Sequence, residues 1–137
     1  VKKLIAFRKR HPAFHRPEFY TGVQGQYNKM PDITWFSPDG GEPDWNKETK
    51  CLGMRIDGTK ADKLLDKDDN DFFIILNPLS QAVPFQLSVQ PDGKSWHRVI
   101  DTGRMSPDDF YDEHKAVTLP HCPYIVSPMS VVVLVSQ

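Results

Sequence analysis

A chain of 137 residues holds one domain with a core of useful size, but falls short of the roughly 250 residues of a complete TIM-barrel enzyme. Apolar residues at 39% and charged residues at 26% describe a globular domain and not a disordered tail. A net charge of -1, with basic clusters only at Lys2-Lys3 and Arg8-Lys9-Arg10, gives no support for a nucleic-acid binder, and no run reaches the roughly 18 apolar residues of a membrane helix.

The first predicted element is a helix of about ten residues. Leu4, Ile5, Ala6 and Phe7 supply its apolar side, Arg8 to Arg10 fall largely on the other, and Pro12 stops it by pushing His11 out of the α region. Such a helix is marginal alone and must pack on something. The opening is too short for a signal peptide, and a start at Val1 without methionine is expected of an excised or processed piece.

From there the texture is β. Ile33–Phe36 is a strand ended by the turn cluster Ser37-Pro38-Asp39-Gly40-Gly41, and Leu52–Ile56 is a second that ends at Asp57-Gly58, a hairpin-like signal. The charge-dense stretch Asp62 to Asp71 reads as a solvated loop. Phe72 to Leu76 is a continuous apolar run, expected as a central strand covered on both faces. Val83 to Val89 alternates, Pro91-Asp92-Gly93-Lys94 turns, and Trp96 to Ile100 is again a strand. After a polar loop from Ser106 to His114, Val117–Leu119, Tyr124–Val126 and the apolar Val131–Val135 complete the set. Short strands between turn signals, with twelve prolines at corners, predict a mainly β fold. The expected architecture is an antiparallel, Greek-key-like β-sandwich preceded by one short N-terminal α-helix.

A search for chemistry returns little. Asp66, Asp68, Asp69 and Asp71 cluster in a polar loop. A glycosidase holds two carboxyls in fixed geometry, one of them in an apolar pocket, which such a loop does not supply. The calcium-loop pattern is not met either. His11 and His15 are spaced like a zinc-helix pair, but Pro12 intervenes and no Glu follows His11. Neither a nucleophile elbow nor a phosphate-cradling glycine loop appears. Hence no catalytic residue, metal ligand or cofactor site is expected. Cys51 and Cys122 lack metal or disulfide spacing and read as buried free thiols. Trp35 and Trp96 lie in strand patterns and read as core. Trp45, in the loop Gly41 to Asn46, reads as a plug against another domain or as a surface that stacks on a sugar ring, and Tyr27 is a second aromatic for such stacking.

Several segments resemble, in order, the C-terminal region of isoamylase-type glycogen and starch debranching enzymes. Leu4 to Pro12 is similar to the last barrel helix with its "hydrophobic-Arg-x-x-His-Pro" ending. Asp32–Phe36 with Pro38-Asp39-Gly40, Asp44-Trp45 and Leu52–Gly58 are similar to the family's hallmark stretch. Phe72 to Asn77, Trp96–Thr102 with Ser106–Asp109, and Tyr124-x-Val126-x-Pro128-x-Ser130 continue the likeness. The loop from Gly40 to Trp45 is shorter than the family's usual version.

The resemblance implies a parent enzyme that is a retaining α-1,6-glucan hydrolase, with its nucleophile and acid/base on barrel strands outside this segment. It implies that residues 1–16 are the terminal barrel helix and linker, and 17–137 a C-terminal β-sandwich domain without turnover of its own. Implied partners are the catalytic barrel and an α-glucan (glycogen or amylopectin), with no nucleic acid and no membrane. The implied compartment is the cytoplasm, or the plastid for a plant-like source. The readings from other classes are a stand-alone carbohydrate-binding module and a β-rich interaction domain.

Overall fold

The structure, a computed structural model, describes residues 1–47, 50–90, 93–120 and 123–137. Cys122, expected as a buried thiol, and the Pro91-Asp92 half of the predicted turn lie outside the described residues. Among the described residues one α-helix, α1 (Lys2–Arg10), precedes eight strands: β1 (Ile33–Phe36), β2 (Leu52–Ile56), β3 (Phe72–Asn77), β4 (Val83–Phe85), β5 (Trp96–Asp101), β6 (Val117–Thr118), β7 (Tyr124–Val126) and β8 (Ser130–Ser136). The chain forms two compact units, Val1–Thr34 with Ile56–Phe72, and Trp35–Arg55 with Phe73–Gln137.

The second unit is the β-sandwich. Six strands run in the order β1-β2-β3-β8-β5-β6, and β4 pairs with β7 in a separate two-stranded sheet. The β4–β7, β5–β6 and β5–β8 pairs are antiparallel. The last strand enters between β3 and β5, so the large sheet is completed only when the C-terminus arrives. Side chains from both sheets fill the layer between: Phe73, Ile75, Trp96, Val132 and Leu134 from one, Phe85 and Val126 from the other, with Cys51 beside them. At Gly53 on β2 the two sheets approach closely, since a Cβ there would stand 2.6 Å from the Phe85 ring. Only glycine lets that ring lie against the β2 backbone.

Three strand expectations are corrected in detail. Phe72 to Leu76 is covered on both faces only at its start: Phe73 and Ile75 are buried on one side, while on the other Phe72 is buried, Ile74 half-buried and Leu76 exposed. Pairing in the Val83 to Val89 segment stops at Phe85, and Val89 is exposed, because Gln86 donates its backbone N–H to Pro38 instead of to a strand partner. Trp35 is half-buried, packed edge-on against Trp45, whereas Trp96 is core. The apolar run of β8 is interior as expected, with only Val131 half-exposed.

The first unit is organised around aromatic rings. Phe7, the buried residue of α1, meets Phe72 edge-on at 5.8 Å, and Phe14 lies 4.4 Å from the same ring. Leu4 and Ile5 remain half exposed, at 48% and 50%. Consecutive apolar residues on a helix point about 100° apart, so four in a row cannot share one face.

The stretch from Asp62 to Asp71 is not simply solvated, because its carboxylates hold the chain. Asp69 accepts from His11 Nδ1 at 2.7 Å and from the Ala13 N–H at 3.1 Å. Asp71 accepts from the Gly58 N–H and Asp68 from the Lys60 N–H. At Gly58 a Cβ would lie 2.2 Å from the Asn70 carbonyl oxygen, so the Asp57-Gly58 signal marks a close crossing of backbones and not a two-residue hairpin.

Candidate functional site

Trp45 belongs to the second unit and Tyr27 to the first. Trp45 sits in the turn Asp44–Lys47, which is closed by the Lys47 N–H on the Asp44 carbonyl and by the Asn46 N–H on the Asp44 carboxylate. Its ring crosses Trp35 nearly at right angles, 6.0 Å between centroids, and is 61% exposed. The aspartate-capped turn holds the indole against Trp35 of β1 and leaves most of it open to solvent.

Tyr27 lies in a loop pinned by the Gly25 N–H on the Met30 carbonyl and by an isolated bridge between Gln24 and Pro31. The ring is 61% exposed, and the Lys60 ammonium stands 5.8 Å from its centroid. Tyr27 opens onto a groove of ≈ 440 Å³ within the first unit. Two carboxylates build the groove's frame. Asp32 accepts from the Thr21 and Gly22 N–H groups at 2.8 and 2.7 Å, and Asp57 accepts from Asn28 Nδ2 at 2.9 Å and Thr59 Oγ1 at 3.1 Å. Partial burial would raise the Asp32 carboxyl, but the Thr21, Gly22 and Ile33 donors outweigh it and hold the group below the ordinary carboxylate value.

Sequence reasoning missed a polar network in the sandwich layer. Buried Asp101 accepts from the Tyr124 hydroxyl, from the Gly103 N–H at 3.0 Å and from Arg104 Nε at 3.4 Å. Buried Arg98 reaches the Tyr124 hydroxyl at 3.4 Å and lies over the Tyr111 ring. Residues three apart on a regular strand face opposite sides. Here the β5–β8 register shifts between Arg98 and Ile100, so Arg98 pairs with Leu134 while Asp101 pairs with Val132. Leu134 and Val132 both point into the core. The bulge therefore brings Arg98 and Asp101 to the same face, under Tyr124 of β7. The Trp96–Thr102 motif was legible as a resemblance; the bulge that gives it a purpose carries no local signature.

Chemically this network is occupied with itself. Burial first, and then the hydrogen bond to Asp101, push the Tyr124 hydroxyl above its usual value. A carboxylate surrounded by three donors and a phenol kept neutral suit a cross-brace between sheets, not proton transfer to a substrate. His11, engaged with Asp69, is likewise a brace. Cys51 is a free, buried thiol whose pKa is raised by burial, the opposite of a reactive cysteine. Among the described residues, no group of three or more His, Cys, Asp or Glu side chains could hold a metal, and no helix is long and apolar enough to cross a membrane.

Fold and side chains together define an antiparallel β-sandwich with braced buried carboxylates and a few exposed aromatics. The family profile "Isoamylase, C-terminal" matches residues 32–135, and the chain belongs to that family. It is 36% identical over 106 residues to an isoamylase of Flavobacterium sp, a match covering 74% of this chain and 13% of the relative. It is 33% identical over 106 residues to the isoamylase of Pseudomonas amyloderamosa, covering 74% and 12%. A chloroplastic isoamylase 3 of Oryza sativa subsp. japonica is 28% identical over 133 residues, covering 96% and 14%. The chain thus spans only about an eighth of the length of the relatives it matches, at their C-terminal region.

Proposed function

We propose that this chain is the non-catalytic C-terminal β-sandwich of an isoamylase-type debranching enzyme, whose catalytic barrel hydrolyses α-1,6 branch linkages of glycogen or starch. The observation that carries the reading is the family match over residues 32–135 in a chain that spans 13% of its isoamylase relative. Residues 1–16 serve as the barrel's final helix and exit, and residues 17–137 as the domain that supports it. The half-exposed Leu4 and Ile5 are the apolar side of that helix which the barrel covers. Tyr27 is the aromatic that contacts glucan, and Trp45, packed on Trp35, is the loop aromatic that plugs against a neighbouring domain. The parent acts in the cytoplasm, or in the plastid of a plant-like source.

Two measurements test this. The isolated chain releases no reducing ends from amylopectin, and it associates with the separately produced catalytic portion of an isoamylase in sedimentation velocity. Turnover by the chain alone, or no association at concentrations of about 100 μM, roughly the weak end of specific contacts, contradicts the proposal.

A further inference from the structure

We propose that the groove beside Tyr27 is a binding site for a short neutral oligosaccharide, with the Tyr27 ring as its stacking platform and Gln24 and Gln26 as polar contacts. The identification of the sugar as a linear α-glucan rests on the debranching-enzyme reading; the groove's own chemistry specifies an uncharged, hydroxyl-rich ligand.

Size comes first. At ≈ 440 Å³ the groove falls within the roughly 300–1,000 Å³ of small-molecule sites. Its charges come next, and they are balanced: Arg16, Lys60 and Lys63 against Glu18, Asp32 and Asp57. Several are also engaged internally. Arg16 donates to the Asp57 carbonyl and lies over Tyr20, and Lys60 donates to the Asp66 carbonyl at 3.0 Å. Asp32 and Asp57 are filled by the donors that frame the walls. A phosphate or an anionic polymer would meet no uncommitted cluster of cations here. A metal ion would meet carboxylates already used by N–H groups.

Apart from one acid, Glu18, and one base, Lys63, what the groove offers a ligand is neutral. Gln24 and Gln26 are exposed along the groove, each offering a planar amide that both donates and accepts, the pairing adjacent hydroxyls need. Tyr27 supplies a flat apolar face with a polar tip, and Phe19 at the rim is 97% exposed. The frame is also built in advance. Two carboxylate-centred knots and the Gly25–Met30 turn fix the loops on either side of the ring, so binding need not order them.

The experiment uses the whole chain and the substitutions Tyr27→Ala, Gln26→Ala and Trp45→Ala. Migration in native gels containing glycogen is measured first, and then maltoheptaose affinity by calorimetry. All three side chains are exposed, so thermal midpoints stay at the wild-type value. The expected result is retardation of wild type and Trp45→Ala alike, with Tyr27→Ala weakened roughly tenfold for maltoheptaose, as for one lost stacking contact, and Gln26→Ala weakened less. Loss in Trp45→Ala with Tyr27→Ala unchanged overturns the groove and places the sugar at the tryptophan, leaving the debranching-domain reading intact. Equal loss in both, or stronger retardation by dextran sulfate than by glycogen, also overturns it. No retardation of the wild type and no heat with maltoheptaose remove glucan binding altogether, while association with the catalytic portion still decides the supporting role separately.

Discussion

Gly53 and Tyr124 show how single residues set the spacing and the bracing of the two sheets. The Cβ introduced by Gly53→Ala meets the Phe85 ring at 2.6 Å and the Phe73 ring at 3.0 Å, both fully buried and unable to withdraw. Overpacking of this kind costs about 1–3 kcal/mol. Chemical denaturation should show that loss as a lower midpoint at unchanged slope. Tyr124→Phe removes a donor from buried Asp101, and the expected destabilisation at neutral pH is about 1–3 kcal/mol.

The same substitution changes the pH dependence. Burial, then Asp101, raise the Tyr124 pKa above its ordinary 10.0, so the fold favours the neutral phenol. That contribution is complete below the unfolded value near pH 10 and is lost as pH rises through the higher folded value. Wild type should therefore lose stability on the alkaline side, and Tyr124→Phe should lose it less steeply. The decline is not abolished, because burial also raises Tyr20. Denaturation midpoints measured from neutral pH upward check both slopes; identical slopes would contradict the assignment.

Among the elements, α1 depends most on its surroundings. Nine residues are too few for a stable isolated helix, and Phe7 is its buried residue. Phe7→Ala removes the ring contacts to Phe14 and Phe72, so hydrogen exchange should show α1 amides unprotected while β5 and β8 stay protected. Equal loss of protection in α1 and in those strands would show that they unfold together. The strands need no such help at their centre. β8 carries five consecutive apolar residues and pairs with β5 across most of its length, which makes it interior by composition alone. β4 and β6 are different: short, and paired only where a neighbour strand supplies the register. This is why alternation at Val83 to Val89 overstated the strand. Periodicity reads which side of a segment is apolar, but not where a partner runs out.

For the molecule as a whole, the proposed attachment to a barrel makes a prediction that isolated stability does not. Ile5 is half exposed, so Ile5→Asp should leave the denaturation midpoint of the chain within about 0.5 kcal/mol of wild type. Association with a catalytic portion should nonetheless weaken in sedimentation velocity, because a charge would be buried there without a partner. Undiminished association would remove this face of α1 from the proposed interface.

Composition, proline usage and strand-length apolar runs by themselves determined the mainly β sandwich with one leading helix, and the ordered motifs determined the family. Those properties are local, written in residue type and in spacings of two to ten positions. The tertiary structure alone decided that Asp69 braces His11, 58 residues away, and that a bulge in β5 puts Arg98 and Asp101 on one face. It alone also decided that Tyr27 opens onto a groove whose charges cancel. Each of these depends on the register and path of segments distant in the chain, which no short window of sequence encodes.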